Sequence, residues 1–318
     1  MKTVIITGGN SGLGYYCART LALDPQWYVI LACRDRHKAS QAVNQIRETT
    51  NTQQIEAMTL DLASFESIRS FAAELEDRQL PPLSAIVCNA GVQFIQRQTY
   101  TKEGFDTTFG VNHLGHFLLV NLLLRQLVPP ARIIMVSSDT HDRSKTTGMP
   151  APYFRNPQLM AYPETDPALK NKDIGTIGRT AYTTSKLCNV LCAYELSRRL
   201  QQEISTESKP VTVNVFNPGL MPGTGLAQDY TPTAKFVWNN ILPILCKLIP
   251  NIYTVQQSGA ALARLVTDPE LAVSGKYFSG FKMMASSTES YDEAKAKQLW
   301  DASVKLTQLK PEETVLQM

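Results

Sequence analysis

The stretch Tyr182-Thr183-Thr184-Ser185-Lys186 is where this chain's chemistry can begin. A tyrosine and a lysine at this spacing lie on one face of a helix, about one turn apart. An ammonium beside a phenol favours the phenolate. A hydroxyl that ordinarily ionises near pH ~10 can then exchange a proton closer to neutrality. That is useful wherever a carbonyl and an alcohol interconvert. The same spacing also occurs by chance on solvated helices, so its meaning depends on the elements that position it.

Those elements start at the first residues. Val4–Thr7 reads as a short apolar strand running into Thr7-Gly8-Gly9-Asn10-Ser11-Gly12-Leu13-Gly14. A helical stripe follows, with Leu13, Cys17, Leu21 and Leu23 expected to be buried. Strand, glycine turn and helix together read as a dinucleotide site. Gly8 permits the tight turn, Gly12 lets backbone approach a pyrophosphate, and Gly14 allows close helix–strand packing. Asn10, Ser11 and Leu13 complete the turn and the helix N-terminus, whose free N–H groups face the anion.

The second strand, Trp27–Ala32, ends in Cys33-Arg34-Asp35-Arg36-His37-Lys38. NAD-selecting sites place a carboxylate near this point, against the ribose 2′-hydroxyl. Here Arg34 follows Ala32 and Cys33, which suits the 2′-phosphate of NADP(H), with Lys38 assisting.

Composition excludes several classes. The 318 residues carry 31 Lys+Arg against 28 Asp+Glu, a net +3 that gives no case for nucleic acid. Six cysteines form no CxxC pair, and reduced thiols in a cytosol are expected. No basic-then-apolar leader precedes the first strand and no run of 18 apolar residues exists, so neither a secretory signal nor a membrane span is expected. No metal site is expected, because His113 and His116 have no ligand companions and read as satisfied structural histidines.

The rest of the chain continues the alternation. A polar helix over 37–49, a strand over 55–60 and a helix over 64–76 lead to the strand Ala85–Cys88. Asp61 and Leu62 sit just past a strand end, where Asp61 can accept from an adenine amino group or cap the next helix. Asn89-Ala90-Gly91 leaves room for a cofactor, though Asn89 can equally bridge strands. A long apolar helix begins near Phe109 and is expected to end near Pro129, packing centrally and able to serve a homodimer. The strand Arg132–Val136 ends in Ser137-Ser138. A Pro-rich stretch of about 139–180 is expected to wall the substrate site. The helix 181–202, the strand 211–216, a helix over 258–266, a final strand at 275–279 and a helix over 290–306 complete the pattern. Apolar residues 234–249, within a lid of about 220–252, imply a bulky apolar substrate and peripheral membrane contact of an otherwise cytoplasmic protein.

Taken together, Thr7-Gly8-x3-Gly12-x-Gly14, Asp61, Asn89-Ala90-Gly91, Asn112, Ser138, Tyr182-x3-Lys186 and Pro218-Gly219 resemble the short-chain dehydrogenase/reductase family, over roughly the first 220 residues. The resemblance implies an α/β Rossmann-type fold over residues 1–318: one domain, a doubly wound parallel seven-stranded sheet, helices on both faces. It implies a catalytic set of Asn112, Ser138, Tyr182 and Lys186, with Asn112 kinking its helix to hold a water that links to the lysine. It also implies that Pro218, Gly219 and Thr224 close on the nicotinamide.

Two subgroups are similar. Ala32-Cys-Arg-Asp35, Leu60-Asp-Leu-Ala-Ser64 and Ser185-Lys-Leu-Cys-Asn189 resemble light-dependent protochlorophyllide reductases, in which a cysteine matching Cys188 lies near the pigment. Gly91, Ser138, Thr183-Thr184 and Asn217 depart from that subgroup and are similar to retinol dehydrogenases. The expectation is an NADPH-dependent carbonyl/alcohol oxidoreductase, with Cys188, Phe236 and Trp238 as candidate substrate contacts. A protochlorophyllide reductase is the alternative, and a catalytically silent NADP-binding regulator is an alternative of another class.

Overall fold

A computed structural model of the chain describes residues 1–203, 210–221, 229 and 253–317. In the first strand Val4, Ile5 and Ile6 are all fully buried, and alternate residues serve different layers. Ile5 joins the layer of Ile30, Ile86 and Phe117, whereas Val4 and Ile6 join that of Cys17, Leu31 and Val87. A strand apolar on both faces is what the centre of a parallel sheet requires.

The strands β1 (Lys2–Thr7), β2 (Trp27–Cys33), β3 (Ile55–Thr59), β4 (Leu83–Cys88), β5 (Leu127–Val136), β6 (Val211–Asn217), β7 (Lys276–Ser279) and β8 (Lys282–Met284) form one sheet. Their order is β3-β2-β1-β4-β5-β6-β7-β8. The first seven pair in parallel, as expected. The expected last strand is followed by another: β8 turns back antiparallel to β7, so the sheet has eight strands. Three residues were too few to show a strand pattern.

The helices are α1 (Gly12–Leu21), α2 (Arg36–Thr50), α3 (Phe65–Glu76), α4 (Thr107–Phe109), α5 (His116–Leu123), α6 (Pro157–Ala161), α7 (Ile174–Glu203), α8 (Val255–Thr267) and α9 (Glu293–Thr307). Side chains of α1, α2 and α8 fill one layer, and those of α3, α5, α7 and α9 the other. Because β1 and β4 are neighbours, the chain's winding reverses between them and a crevice opens at their carboxyl ends.

Three expectations are corrected. Leu23 is 60% exposed, because α1 stops at Leu21 and the stripe stops with it. The helix read as ending near Pro129 ends at Leu123, and β5 has already begun at Leu127. Pro129 and Pro130 lie where the ladder jumps from Leu83–Leu127 to Ala85–Arg132, a bulge that needs no N–H donors. The same helix was expected to offer a face to a second chain. Instead α5 is buried apart from part of Leu122, with Trp300 of α9 packed edge-on against Phe117 at 4.9 Å.

The 139–180 stretch is not a plain loop. It contains α6 and gives α7 its start at Ile174, earlier than expected, where Asp173 caps through the N–H of Thr176 at 2.9 Å. Tyr153 N–H donates to Thr184 Oγ1 at 2.9 Å, which ties the stretch to α7.

Candidate active site

The crevice begins at the glycine turn. Gly8 and Gly12 have φ of +64° and +56°, the left-handed region that glycine enters freely. Ser11 precedes α1 without a side-chain cap, and no acidic residue stands in the first turn. The first N–H groups of α1 are therefore available to an anion. A Cβ on Gly14 would lie 2.5 Å from Asn89 Nδ2 and 2.8 Å from the Gly8 oxygen. Only glycine lets helix and strand approach so closely. Leu13 is a core residue, whereas Asn10 and Gly12 are partly exposed and Ser11 is exposed.

Asn89 does bridge strands: its Nδ2 donates to the oxygens of Thr7 at 2.8 Å and Gly8 at 3.3 Å. Thr7 Oγ1 accepts from the N–H groups of Asn89 and Ala90, both at 2.9 Å. These bonds splice β1 to β4 and leave only small groups, Ala90 and Gly91, at the rim. Behind the turn sits the Cys33 thiol. Burial pushes it up to about 11, against the pull of N–H groups from Asn10, Gly9 and Gly8.

At the end of β2, Asp35 caps α2 by accepting from Lys38 N–H at 3.0 Å, and it pairs with Lys38 Nζ at 3.5 Å. Lys38 is thus engaged with Asp35, while Arg34 is exposed and makes no ion pair among the described residues. Asp61 does not cap α3. Ser64 does, accepting from Ser67 N–H at 3.3 Å, and Asp61 Oδ1 accepts from Ala63 N–H at 3.0 Å in a local turn. Leu62 is buried as a packing residue.

Between α4 and α5 the helix widens into a π turn, Gly110–Gly115, around Asn112, where a kink was expected. Such turns free a carbonyl from the regular ladder. Here the Asn112 carbonyl accepts from His116 Nδ1 at 3.2 Å. His116 Nε2 lies 2.9 Å from Thr7 Oγ1. Thr7 Oγ1 already accepts two N–H groups, and its hydrogen finds His116 Nε2 nearer than its other acceptor, the Val87 oxygen at 3.4 Å. This pattern requires a neutral ring, and burial lowers His116 to about 4. His113 is lowered to about 3 by burial and contacts Ser303 Oγ at 2.8 Å. His116 is satisfied at both nitrogens, as expected, whereas His113 Nδ1 is buried without a partner among the described residues.

The Asn112 side chain is fully engaged. It accepts from Val92 N–H at 2.8 Å and donates to the Val92 oxygen and to Ser185 Oγ, each at 3.0 Å. Ser185 Oγ donates in turn to the Tyr182 carbonyl at 2.7 Å. A Cβ on Gly91 would stand 3.4 Å from Lys186 Nζ and 3.5 Å from Asn112 Oδ1, so these groups converge on one point. Lys186 Nζ lies 5.5 Å from the Tyr182 ring centroid and donates to the Val136 oxygen at 3.3 Å. Burial lowers it to about 8.

The two serines at the end of β5 divide their work. Ser137 is buried and donates to the Lys186 carbonyl at 2.8 Å, locking β5 to α7. Ser138 is half-buried, and its hydroxyl accepts from Thr140 N–H at 3.3 Å. Among the described residues its own hydrogen meets no acceptor.

At the end of β6, Gly219 N–H donates to Asn217 Oδ1 at 3.1 Å and the Pro218 oxygen accepts from Ser258 at 2.8 Å. Thr224, Phe236 and Trp238 lie outside the described residues. Cys188 is fully buried in the core, its thiol pushed up chiefly by burial, so it is removed from the candidate substrate contacts.

Two features were missed in the sequence. Asp229 Oδ2 accepts from the N–H groups of Ile95 at 2.7 Å and Gln96 at 2.8 Å, and His141 sits beneath Ser138. Asp229 had no local signal because Ile95 and Gln96 are remote in sequence, and His141, though close to Ser138 in the chain, takes its second partner from Ser287, 146 residues on. Among the described residues no group of His, Cys, Asp or Glu could hold a metal, and no helix is long and apolar enough to cross a membrane.

Known proteins share this fold. A model of the family described as "short chain dehydrogenase" matches residues 2–150, and one described as "AcuH dehydrogenase domain" matches residues 227–316. The chain belongs to the short-chain dehydrogenase/reductase family of oxidoreductases. Within it, the chain is similar to protochlorophyllide reductase of Daucus carota, 36% identical over 326 residues that cover 96% of this chain and 78% of the relative. An uncharacterized protein from Mycobacterium paratuberculosis superposes with a TM-score of 0.67 at 26% identity, over 96% of this chain and 93% of that one. A Shigella flexneri structure named as a short chain dehydrogenase, complexed with NADP, gives a TM-score of 0.59 at 19% identity, over 87% and 95%.

Proposed function

We propose that this oxidoreductase uses NADPH to interconvert a carbonyl and an alcohol on a bulky apolar substrate. The observation that carries the reading is the junction of β5 with α7. There Ser137 donates to the Lys186 carbonyl and Lys186 Nζ donates to the Val136 oxygen, which sets the Ser138 hydroxyl and the Tyr182–Lys186 face on one wall. The crevice beside them fits a dinucleotide, with uncapped N–H groups at α1 and a rim of Ala90 and Gly91 facing Lys186. Arg34, without an ion pair among the described residues, is the group for a 2′-phosphate.

When bound, NADPH supplies the hydride. Ser138 donates its hydrogen to the substrate oxygen and holds it near Tyr182. Tyr182 delivers the proton to that oxygen. Lys186, lowered to about 8, still carries its charge at neutral pH, where it holds the ribose hydroxyls and favours proton release by the phenol. Asn112 acts by fixing the start of the Val92 loop and, through Ser185, the backbone of Tyr182. Oriented donors of this kind supply much of a barrier reduction.

A second reading, a protochlorophyllide reductase, is favoured by the carrot relative's 36% identity over nearly the whole chain. Incubation with NADPH and a panel of long-chain carbonyls, retinal and protochlorophyllide, in darkness and in light, separates the two. Oxidation of NADPH by a carbonyl in darkness is expected. Turnover of protochlorophyllide alone, and only under illumination, installs the second reading. Tight NADPH binding with no turnover of any kind leaves a silent binding protein.

A further inference from the structure

We propose that His141 is a positioning residue that holds Ser138 in place by tying it to the C-terminal part of the chain. The proposal rests on Ser138 binding the substrate oxygen.

His141 closes the single turn Asp139–His141 that follows β5, and it is 1% exposed. Its Nδ1 lies 2.7 Å from the Ser138 carbonyl oxygen, and its Nε2 lies 3.0 Å from Ser287 N. A backbone N–H can only donate, so Nε2 accepts and Nδ1 carries the hydrogen. The Ser138 oxygen also receives His141 N–H at 3.1 Å, so one residue grips it twice. No bond runs from His141 to Ser138 Oγ. This is not a proton relay to the hydroxyl but a clamp on the backbone that bears it.

The far anchor is itself fixed. Ser287 O accepts from Ser290 Oγ at 2.6 Å and Ser290 N–H at 3.1 Å. Glu289, in the same turn, pairs with Lys295 at 2.6 Å and with Arg143 at 3.4 Å, two residues past His141. The Tyr277 ring of β7 lies 5.0 Å from the imidazole. Asp139, Asp142 and Lys145 are the charged groups around it. The C-terminal segment thus acts as a strut under the catalytic serine. A shift of that serine by a fraction of an ångström is enough to cost rate.

The first test needs no substrate. The chain has four histidines, so ¹⁵N-labelled imidazoles can be resolved, with His141 assigned from its loss in His141→Asn. The expected signal is the Nδ1–H tautomer, the minor one in free imidazole, still neutral below the usual histidine range because burial disfavours its charge. An Nε2–H tautomer, or ordinary titration near ~6.5, overturns the clamp.

The second test uses all-trans-retinal, NADPH and four variants. Asn can still donate to the Ser138 oxygen, whereas Gln can reach only Ser287. His141→Ala and His141→Gln are expected to lose about tenfold to a hundredfold in kcat, and His141→Asn to recover most of it, with NADPH affinity unchanged in all three. Equal kcat in His141→Asn and His141→Gln, or a parallel loss of NADPH binding, reduces His141 to a folding residue. Full activity in Ser138→Ala removes the serine's assigned role instead, and leaves the tautomer to decide the clamp. If the wild type does not turn over retinal, the tautomer again decides.

Discussion

Around Gly8–Gly14 the crevice wall is backbone, kept open by side chains that are missing. Around Ser138, Tyr182 and Lys186 it is made of side chains set in place by the elements that carry them. The first half fails when an atom is added, as the 2.5 Å approach at Gly14 requires. The second fails when an atom is removed, since Ser137, Asn112 and Ser185 each hold something else in place. Binding a large anion takes many weak, interchangeable donors. Moving one proton takes a few groups held to a fraction of an ångström. One sheet serves both because its strand ends deliver a turn on one side and a hydroxyl on the other.

This contrast can be broken in measurable ways. Tyr182→Phe is expected to lower kcat by about two to four orders of magnitude while NADPH titration shows unchanged affinity. Full turnover in that variant removes the assignment. Arg34→Ala is expected to weaken NADPH about tenfold to a hundredfold and to leave NADH unaffected, as loss of a charged hydrogen bond worth about 1.5–3 kcal/mol implies. Equal weakening of both coenzymes places the 2′-phosphate elsewhere. Gly14→Ala is expected to cost about 1–3 kcal/mol in urea unfolding, because its Cβ meets Asn89 and the Gly8 carbonyl. Stability at the wild-type level would show that the turn can relax.

Acid probes the seam between the halves. His113 and His116 are depressed to about 3 and about 4, so the unfolded chain binds more protons below ~6.5 and stability falls as pH drops. Asp106 is raised to about 6 by burial, so it opposes the loss from that pH downward. Two histidines against one carboxyl leave about one proton from these three groups, or about 1.4 kcal/mol per pH unit between pH 6 and 4, and His141, also lowered by burial, adds to the fall. A flat urea midpoint across that window contradicts the neutral-histidine seam. The smallest effect is expected of Ser137→Ala, about 1 kcal/mol for one buried hydrogen bond, with a fall in kcat that thermal unfolding alone does not account for. An unchanged kcat would show that the lock between β5 and α7 does not reach Tyr182.

Much of this was legible because it is local. The glycine turn, the Tyr182–Lys186 spacing and the alternation of β1 to β4 each fit within a few consecutive residues. What stayed hidden is what the chain assembles from afar. His141 and Ser287 are 146 residues apart, and Asp229 reaches Ile95 across 134. Prolines misled in a different way: at Pro129 they read as a helix stop, although they occupy a strand bulge already past the helix. Asp61 was a plausible cap, but Ser64 stands directly before α3 and took that place.

The Thr7 hydroxyl joins three stretches of chain at one atom, reaching Asn89 across 82 residues and His116 across 109. Closing such distances costs entropy before any contact repays it. Neither half of the crevice is therefore a module that a shortened chain could carry away intact. A nascent chain holds no nucleotide grip until the strand that ends in Cys88 and the helix beyond it have arrived.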